Sequence, residues 1–393
     1  RFTRKLMPIW FTSFGGEAAW FMSTHIQLGM AEYARRRQRL GLHGKVVLAG
    51  WTVLVAYVLL RNYQYLEAGM LKPNFRVIHQ AYDFNLWELP LTLVTLAVFS
   101  LLAGKLAGRA YYWCAGILCF LALDLFGLRY YMTTVEPQRL VVRHVRLESP
   151  KLSGSLRILH LSDMQSGEIG DYEAKIFKTI NALKPDIILN TGDYLQAVPP
   201  ATFQSEFPKF IELIETTDPL YGTYGVFGDT ELEMYRVPQQ ELRGLKLLSS
   251  RFEQIKTYAG EISLLGLSLY ESKNPEWAAR TAKRWLEATP DSDFRILFGH
   301  SPDYALAMGE LPIDLCLAGH THGGQVRLPY WGALVIDSEV PETWSSGFRR
   351  IGIPYLNVSA GAGSNRFGGL PPMRLNCPTE MTLIELAPIK SIR

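Results

Sequence analysis

The sequence predicts an α/β domain of about 240 residues behind an apolar, helical N-terminal region. Three observations predict it. From about residue 156 short apolar runs alternate with amphipathic stretches of helical period, before residue 135 long segments carry almost no charge, and the later apolar runs end repeatedly in Gly followed by Asp or His. The 393 residues include 40 Lys+Arg against 37 Asp+Glu, a formal charge of +3, which disfavours nucleic acid as a partner. Hydrophobic residues at 48% and charged residues at 20% exclude a disordered, collagen-like or coiled-coil chain. Cys114, Cys119, Cys316 and Cys377 form no close CxxC pair and are too sparse for a disulfide framework or a structural zinc site.

The N-terminal region, 1–134, accounts for the mean hydropathy of +0.03. Its uncharged or nearly uncharged segments place membrane spans at about 46–60, 87–104 and 110–128, each near the roughly 17 to 25 residues that cross a bilayer. Trp51, Trp87, Tyr111, Tyr112, Trp113, Tyr130 and Tyr131 include several aromatics near the segment ends, as interfacial belts require. A further membrane-associated segment is expected at 7–23. Arg35, Arg36, Arg37, Arg39 and Lys45 precede the first span and Lys105 and Arg109 separate the second from the third, whereas the loop 61–88 carries only Arg61, Lys72 and Arg76. The positive-inside rule then puts the first two basic stretches in the cytoplasm and the rest of the chain outside it. Asp124, within the third span, is read as snorkelling to the interface or exposed there. No cleavable signal peptide is recognisable, so the spans themselves are expected to target the chain.

Residues 135–155 read as a connector, opened by the break at Glu136-Pro137 and extended over 139–150. The domain proper, 156–388, is expected to run strand 156–162, helix 171–183, strand 186–190, helix 203–216, strand 221–228, helix 238–248, strands 253–258 and 261–269, and helix 275–288. Strand 294–299, a short helix after Pro302, strand 313–319 and several Gly-punctuated strands complete it. The chemistry sits where strands end: Asp163, Gly192-Asp193, Gly228-Asp229, Gly299-His300 and Gly319-His320-Thr321-His322. In open α/β sheets ligands bind outside the carboxyl ends of strands, so these five places can converge on one mouth. Carboxylates with imidazoles suit manganese, iron or zinc, and two such ions can clamp a phosphoryl group.

Read singly, Asp163 or Asp193 is as well explained as a helix N-cap, His160 is better explained as a satisfied core histidine, and Cys316 as an apolar strand residue. His300, His320 and His322 together, at two Gly-His strand ends with an i, i+2 pair, are not explained by packing.

The region from about Leu156 to Leu386 resembles the calcineurin-like metallophosphoesterase superfamily, and within it the membrane-associated bacterial phosphohydrolases ending in GHTHGGQ. Residues 319–325 read GHTHGGQ, and the order SD, GD, G-D, GH, GHTH is the family's order. The resemblance implies a four-layer α/β/β/α sandwich with a two-metal site. It implies that one metal takes Asp163, the residue at 165, Asp193 and His322, and that the other shares Asp193 and adds the residue at 229, His300 and His320. Two positions depart from the pattern. The chain has Asp163-Met164-Gln165 where the family has Asp-x-His, and Gly228-Asp229-Thr230-Glu231 where it has Gly-Asn-His-Asp/Glu. Gln165 offers an amide oxygen, a weaker ligand that favours harder ions such as manganese or magnesium, with iron and zinc as alternatives. Asp229 brings a full negative charge to the second ion. Thr230 stands where the resemblance implies a histidine that contacts phosphate and protonates the leaving group; slower turnover, a good leaving group, or an acid such as Glu231 or Glu233 standing in is expected.

Arg366 and Arg374 are read by default as solvated arginines, with a bidentate hold on phosphate as the functional alternative. Two functions follow. One is a multi-pass plasma-membrane phosphohydrolase with a periplasmic domain, cleaving a phosphoester or pyrophosphate of a phosphorylated small molecule or lipid-linked substrate by a hydroxide that two divalent metal ions activate. The other is a catalytically weak or inactive relative that binds metal or phosphate as a sensor or interaction module.

Overall fold

A computed structural model of the chain describes residues 42–71, 75–333, 335–366 and 371–389. The segment 7–23, His25 and the basic residues Arg35, Arg36, Arg37 and Arg39 lie outside the described residues.

The apolar region is helical: α1 (Leu42–Leu71), α2 (Phe75–Asp83), α3 (Leu89–Ala107) and α4 (Ala110–Tyr130). Among the described residues two helices are long and apolar enough to cross a membrane, His79–Leu102 and Ala110–Gln138, where three were expected. The first expected span, 46–60, lies inside the 30 residues of α1. Asp124 is exposed on α4. Contacts divide the chain into two compact units, 1–64 with 96–116 and 65–95 with 117–393. In the first, the turn between α3 and α4 passes through Gly108 at φ +110°, a left-handed conformation that a side chain would strain.

The second unit contains two six-stranded sheets. The first has the order β1-β14-β2-β3-β4-β5, from β1 (Val141–Ser149), β2 (Leu156–Leu161), β3 (Ile187–Asn190), β4 (Thr223–Gly225), β5 (Leu245–Leu247) and β14 (Glu380–Pro388). The second has the order β12-β13-β9-β8-β7-β6, from β6 (Arg251–Thr257), β7 (Gly260–Gly266), β8 (Phe294–Phe298), β9 (Leu315–Ala318), β12 (Gly347–Arg350) and β13 (Tyr355–Val358). A ribbon of β10 (Arg327–Leu328) and β11 (Gly332–Ala333) stands apart. β2 through β5 run parallel, as do β7, β8, β9 and β13, so both sheets deliver a row of carboxyl ends.

Three cores hold these layers. Leu156, Ile158, Ile187 and Leu189 meet Ile262, Leu264, Phe294 and Ile296 between the sheets. On the outer face of the first sheet, Leu159, Leu161 and Ile188 pack on Ile176, Phe177 and Ile180 of α5 (Asp171–Leu183) and on Phe210 and Ile211 of α6 (Phe203–Glu215). On the outer face of the second, Leu265, Leu297 and Cys316 pack on Ala278, Ala282 and Trp285 of α8 (Pro275–Ala288), which follows the four-residue α7 (Leu269–Ser272). Alternate strand residues thus serve opposite cores, which is why the runs read as continuously apolar. α5 begins with the Gly170 N–H donating to Glu173 Oε2 at 3.0 Å, and α8 begins at Pro275, where a missing N–H costs nothing.

Two expectations change. The stretch 139–150 is not only extended: 141–149 form edge strand β1, paired in parallel with β14 over nine residues. The helix expected at 238–248 is a single tight turn, Gln239–Leu242, followed by β5. Gly244 at φ +88° and Arg243 at φ +22° end any helix there.

Candidate metal centre

Every expected donor lies just beyond a strand. β2 ends one residue short of Ser162-Asp163, β3 leads into Thr191-Gly192-Asp193, β8 into Gly299-His300 and β9 into Gly319-His320. Asp163, Gln165, Asp193, His320 and His322 all have positive φ, between 38° and 69°. Such conformations cost on the order of 1 kcal/mol or more each and persist where the surroundings dictate them. Two glycines are needed for space: a Cβ at Gly319 would collide with Ser162 Oγ and Asp163 Oδ2, and one at Gly228 with Asp193 Oδ1.

The side chains gather into two groups. Asp163, Asp193 and His322 place one donor atom each within 4.8 Å of one another, and Asp229, His300 and His320 do the same. In the first, His322 Nε2 is 3.6 Å from Asp163 Oδ1. In the second, Asp229 Oδ2 is 3.0 Å from His320 Nδ1 and 3.5 Å from His300 Nε2. Asp193 joins them: its Oδ2 lies 3.6 Å from His300 Nε2, while its Oδ1 accepts the Asp229 and Thr230 N–H groups at 2.6 and 3.0 Å. The Gln165 amide donates to Asp193 Oδ2 at 2.5 Å, and its Oε1, in a residue only 2% exposed, has no hydrogen-bond partner. An orphaned buried acceptor costs about 1–3 kcal/mol unless something meets it. In a residue bonded to Asp193 of the first group, that orphan fits a site built for divalent cations.

The electrostatics are those of crowded, buried charge. Burial pushes the Asp163 carboxyl up to about 6, with Asp193 adding to the rise and His300 opposing it. Burial disfavours protonated His300, yet the carboxylates of Asp193, Asp229 and Asp163 raise it to about 10. Burial also acts to raise Asp229, but hydrogen bonds and charge from His300 and His320 hold it well below the carboxylate range. His322 is pushed well down by burial and by the Arg374 guanidinium.

Residues 156–324 match the family profile of the calcineurin-like phosphoesterases. Those residues are a calcineurin-like phosphoesterase domain. The chain is similar to the uncharacterized metallophosphoesterase YkuE of Bacillus subtilis, 26% identical over 281 residues that cover 69% of this chain and 94% of that protein. It is 26% identical to the uncharacterized metallophosphoesterase YkoQ of the same organism over 183 residues, 44% of this chain and 63% of that protein. It is 28% identical to the phosphodiesterase YaeI of Escherichia coli over 212 residues, 52% of this chain and 71% of that protein.

Other expected residues of this phosphoesterase domain fall differently. Arg374 is fully buried, and its guanidinium donates to the carbonyls of Gly363, Ala360 and Cys377 and to Ser364 Oγ. It ties down the loop beside His322 and has no face for phosphate, which corrects the expectation from sequence. Arg366 is half-buried and lines a cavity of about 120 Å³ with Gln165, Glu168, Tyr172 and Thr133. Thr230 turns its hydroxyl to Asp193 Oδ1 at 3.3 Å and Glu231 Oε1 at 3.4 Å. Glu231 is 1% exposed and accepts the N–H groups of Tyr194 and Gly228, so it braces two loops and does not face the opening. Burial and Asp193 push its carboxyl up to about 8.

His160 is fully buried within a chain of donors that crosses the sandwich. Asn357 Nδ2 on β13 donates to His160 Nδ1 at 2.8 Å, His160 Nε2 to Thr191 Oγ1 at 3.0 Å, Thr191 to Ser162 Oγ at 2.6 Å, and Ser162 to Asp163 Oδ2. The second sheet thereby fixes a donor on the first. One neighbour escaped the sequence: Lys273 Nζ lies 2.6 Å from Asp229 Oδ1. A single lysine 44 residues away in the chain carries no motif, and only a Gly-Asp strand end in want of a counter-charge hints at it.

Proposed function

We propose that this chain is a membrane-anchored, metal-dependent phosphohydrolase that cleaves a phosphoester or pyrophosphate, with a lipid-linked substrate favoured because the site is tethered beside a bilayer. The observation that carries the reading is the pair of donor groups joined at Asp193. The phosphodiesterase YaeI, by its name, favours a diester among the substrate classes. The proposed ligands are Asp163, Gln165, Asp193 and His322 for one ion and Asp193, Asp229, His300 and His320 for the other. Manganese is the first choice because Gln165 supplies oxygen where nitrogen would favour softer ions. Bound there, two divalent ions supply water activation at neutral pH and neutralise charge developing on a phosphoryl group.

The chain's own groups set the geometry. Asp163 is oriented by the Ser162 hydroxyl and by the His320 N–H at 3.0 Å. His300 is fixed as an Nε2 donor by the 2.8 Å contact of its Nδ1 with the Thr191 carbonyl, an outer partner that sets the tautomer. Arg366, which lines the same cavity as Gln165, is the proposed contact for the substrate's phosphate. The helices His79–Leu102 and Ala110–Gln138 are the proposed anchor, in a membrane-associated branch of the family, with the phosphoesterase domain on the outer face of the plasma membrane. In support of tethering, Leu86 and Met132 of the helical segments pack with Val326 and Met373, and the Arg374 N–H donates to the Met132 carbonyl at 2.9 Å.

Metal analysis of the detergent-solubilised full chain, with a manganese-dependent chromogenic phosphodiester assay on wild type, Asp193→Ala and His320→Ala, tests this reading. Bound metal in wild type, and turnover lost on either substitution, are expected. Bound metal with wild-type turnover no higher than that of Asp193→Ala or His320→Ala would favour a second reading, a metal-binding relative without catalysis, which Thr230 and the engagement of His160 in the core support. Absence of both metal and turnover sinks the site. A reporter fused after Ile392 is expected to be active only outside the cytoplasm, and cytoplasmic activity reverses the orientation.

A further inference from the structure

We propose that Lys273 is a phosphate-binding cation of this site, its ammonium contacting a non-bridging oxygen of the phosphoryl group presented to the second donor group. The inference rests on the phosphohydrolase reading and adds a substrate-contacting residue to it.

Position comes first. Asp229 holds Lys273 Nζ at 2.6 Å through Oδ1, while its Oδ2 lies 3.0 Å from His320 Nδ1. The ammonium is therefore one carboxylate away from the imidazoles. Both partners face solvent, the Lys273 side chain 38% and the Asp229 side chain 33% exposed, in contrast to the enclosed Arg374. An ammonium has three donors, so a phosphoryl oxygen can take one without displacing Asp229.

The support beneath Lys273 is more elaborate than an exposed ion pair would call for, since such pairs add little to stability. Lys273 caps the C-terminus of α7, its N–H bonded to the Leu269 carbonyl at 3.3 Å. The Glu271 carboxylate, 7% exposed, accepts from Ser250 Oγ at 2.5 Å, Thr281 Oγ1 at 2.6 Å, and the N–H and hydroxyl of Ser268 at 2.9 and 2.8 Å. Ser272 Oγ accepts the Ser301 N–H at 3.2 Å, which fastens the same turn to the residue after His300. The backbone that carries Lys273 is thus fixed to the strand end that carries a donor. Thr230, the other side chain at this rim, offers a hydroxyl already turned toward Asp193 and Glu231.

The test uses the manganese-loaded, detergent-solubilised full chain, with inorganic phosphate as the probe, titrated calorimetrically into wild type, Lys273→Met and Lys273→Arg, and manganese content measured for each. Lys273→Met is expected to keep its manganese and bind phosphate about 10- to 100-fold more weakly, the range for losing one charge-assisted hydrogen bond, while Lys273→Arg stays near wild type. On the chromogenic diester, kcat/KM should fall in step. Unchanged phosphate affinity in Lys273→Met overturns the proposal, and so does parallel loss of manganese, which would make the lysine a prop for Asp229. Wild type that binds no manganese sinks the phosphohydrolase reading itself, a result distinguishable from either.

Discussion

The two donor groups are built from the same residue types and meet opposite surroundings. Asp163, Gln165, Asp193 and His322 are at most 2% exposed, and the cation beside them, Arg374, is sealed under the loop it holds. Asp229 and Lys273 are each about one-third exposed, above a buried His320 and a fully buried His300, so the second group opens at one edge. A closed group keeps its geometry with a weak ligand, because neighbouring backbone and hydroxyl donors orient each carboxylate. An open group has to meet incoming ligands and balance their charge. This difference explains why a neutral glutamine is tolerated on the closed side and a charged aspartate, answered by a lysine, on the open side.

Asp193→Ala attacks both groups at once and carries the largest expected effect. Turnover should drop at least about 10³-fold, roughly 4 kcal/mol of transition-state stabilisation, with metal content falling at both groups; His320→Ala should deplete the open group alone. Equal metal loss on the two substitutions would erase the distinction between the groups. Arg374→Met should destabilise the domain by about 3 kcal/mol, because it strands several buried carbonyls, read as a lower denaturant midpoint. A shift within about 0.5 kcal/mol would mean that the closed group does not depend on its seal.

Thr230→His sharpens the open side. It restores an imidazole at the rim and should raise turnover about 10²-fold where protonation of the leaving group limits the rate, and an unchanged rate on a diester with a poor leaving group would show that it does not. The smallest effect belongs behind the closed group. Burial holds His160 down at about 3 in the folded chain, against an ordinary value of 6.5. As pH falls through 6.5 the unfolded chain takes up a proton that the folded chain refuses, so this contribution is complete above 6.5 and is lost progressively as pH falls toward about 3. Urea unfolding of wild type and His160→Gln between about pH 7 and 5 checks it: the wild-type curve should be the steeper.

Much of this was legible in the sequence, and the failures have physical causes. α5 and α8 could be bounded because Gly170 with Glu173 and Asn274-Pro275 mark their starts. The donors could be named because Gly-Asp and Gly-His at strand ends require tight backbone approach, as the collisions at Gly228 and Gly319 show. The helix expected over 238–248 failed because apolar Leu242, Leu245 and Leu248 mimic helical spacing across a left-handed Gly244. Arg374 was misassigned because a sequence does not reveal whether a guanidinium faces water or carbonyls. Lys273 was invisible because its partner is distant in the chain and its support, Glu271 with Ser250 and Thr281, comes from three separate segments.

β14 lies between β1 and β2, the Thr382 partner of His160 in register, and comes after every donor in the chain. Until residues 380–388 are in place, β1 and β2 have no common neighbour and the first sheet is split between them. The emerging polypeptide can therefore expose all its carboxylates and imidazoles well before it can arrange them. Proteolytic trimming that reached Glu380 would undo the first sheet at a stroke, although it would remove none of the proposed metal and phosphate ligands.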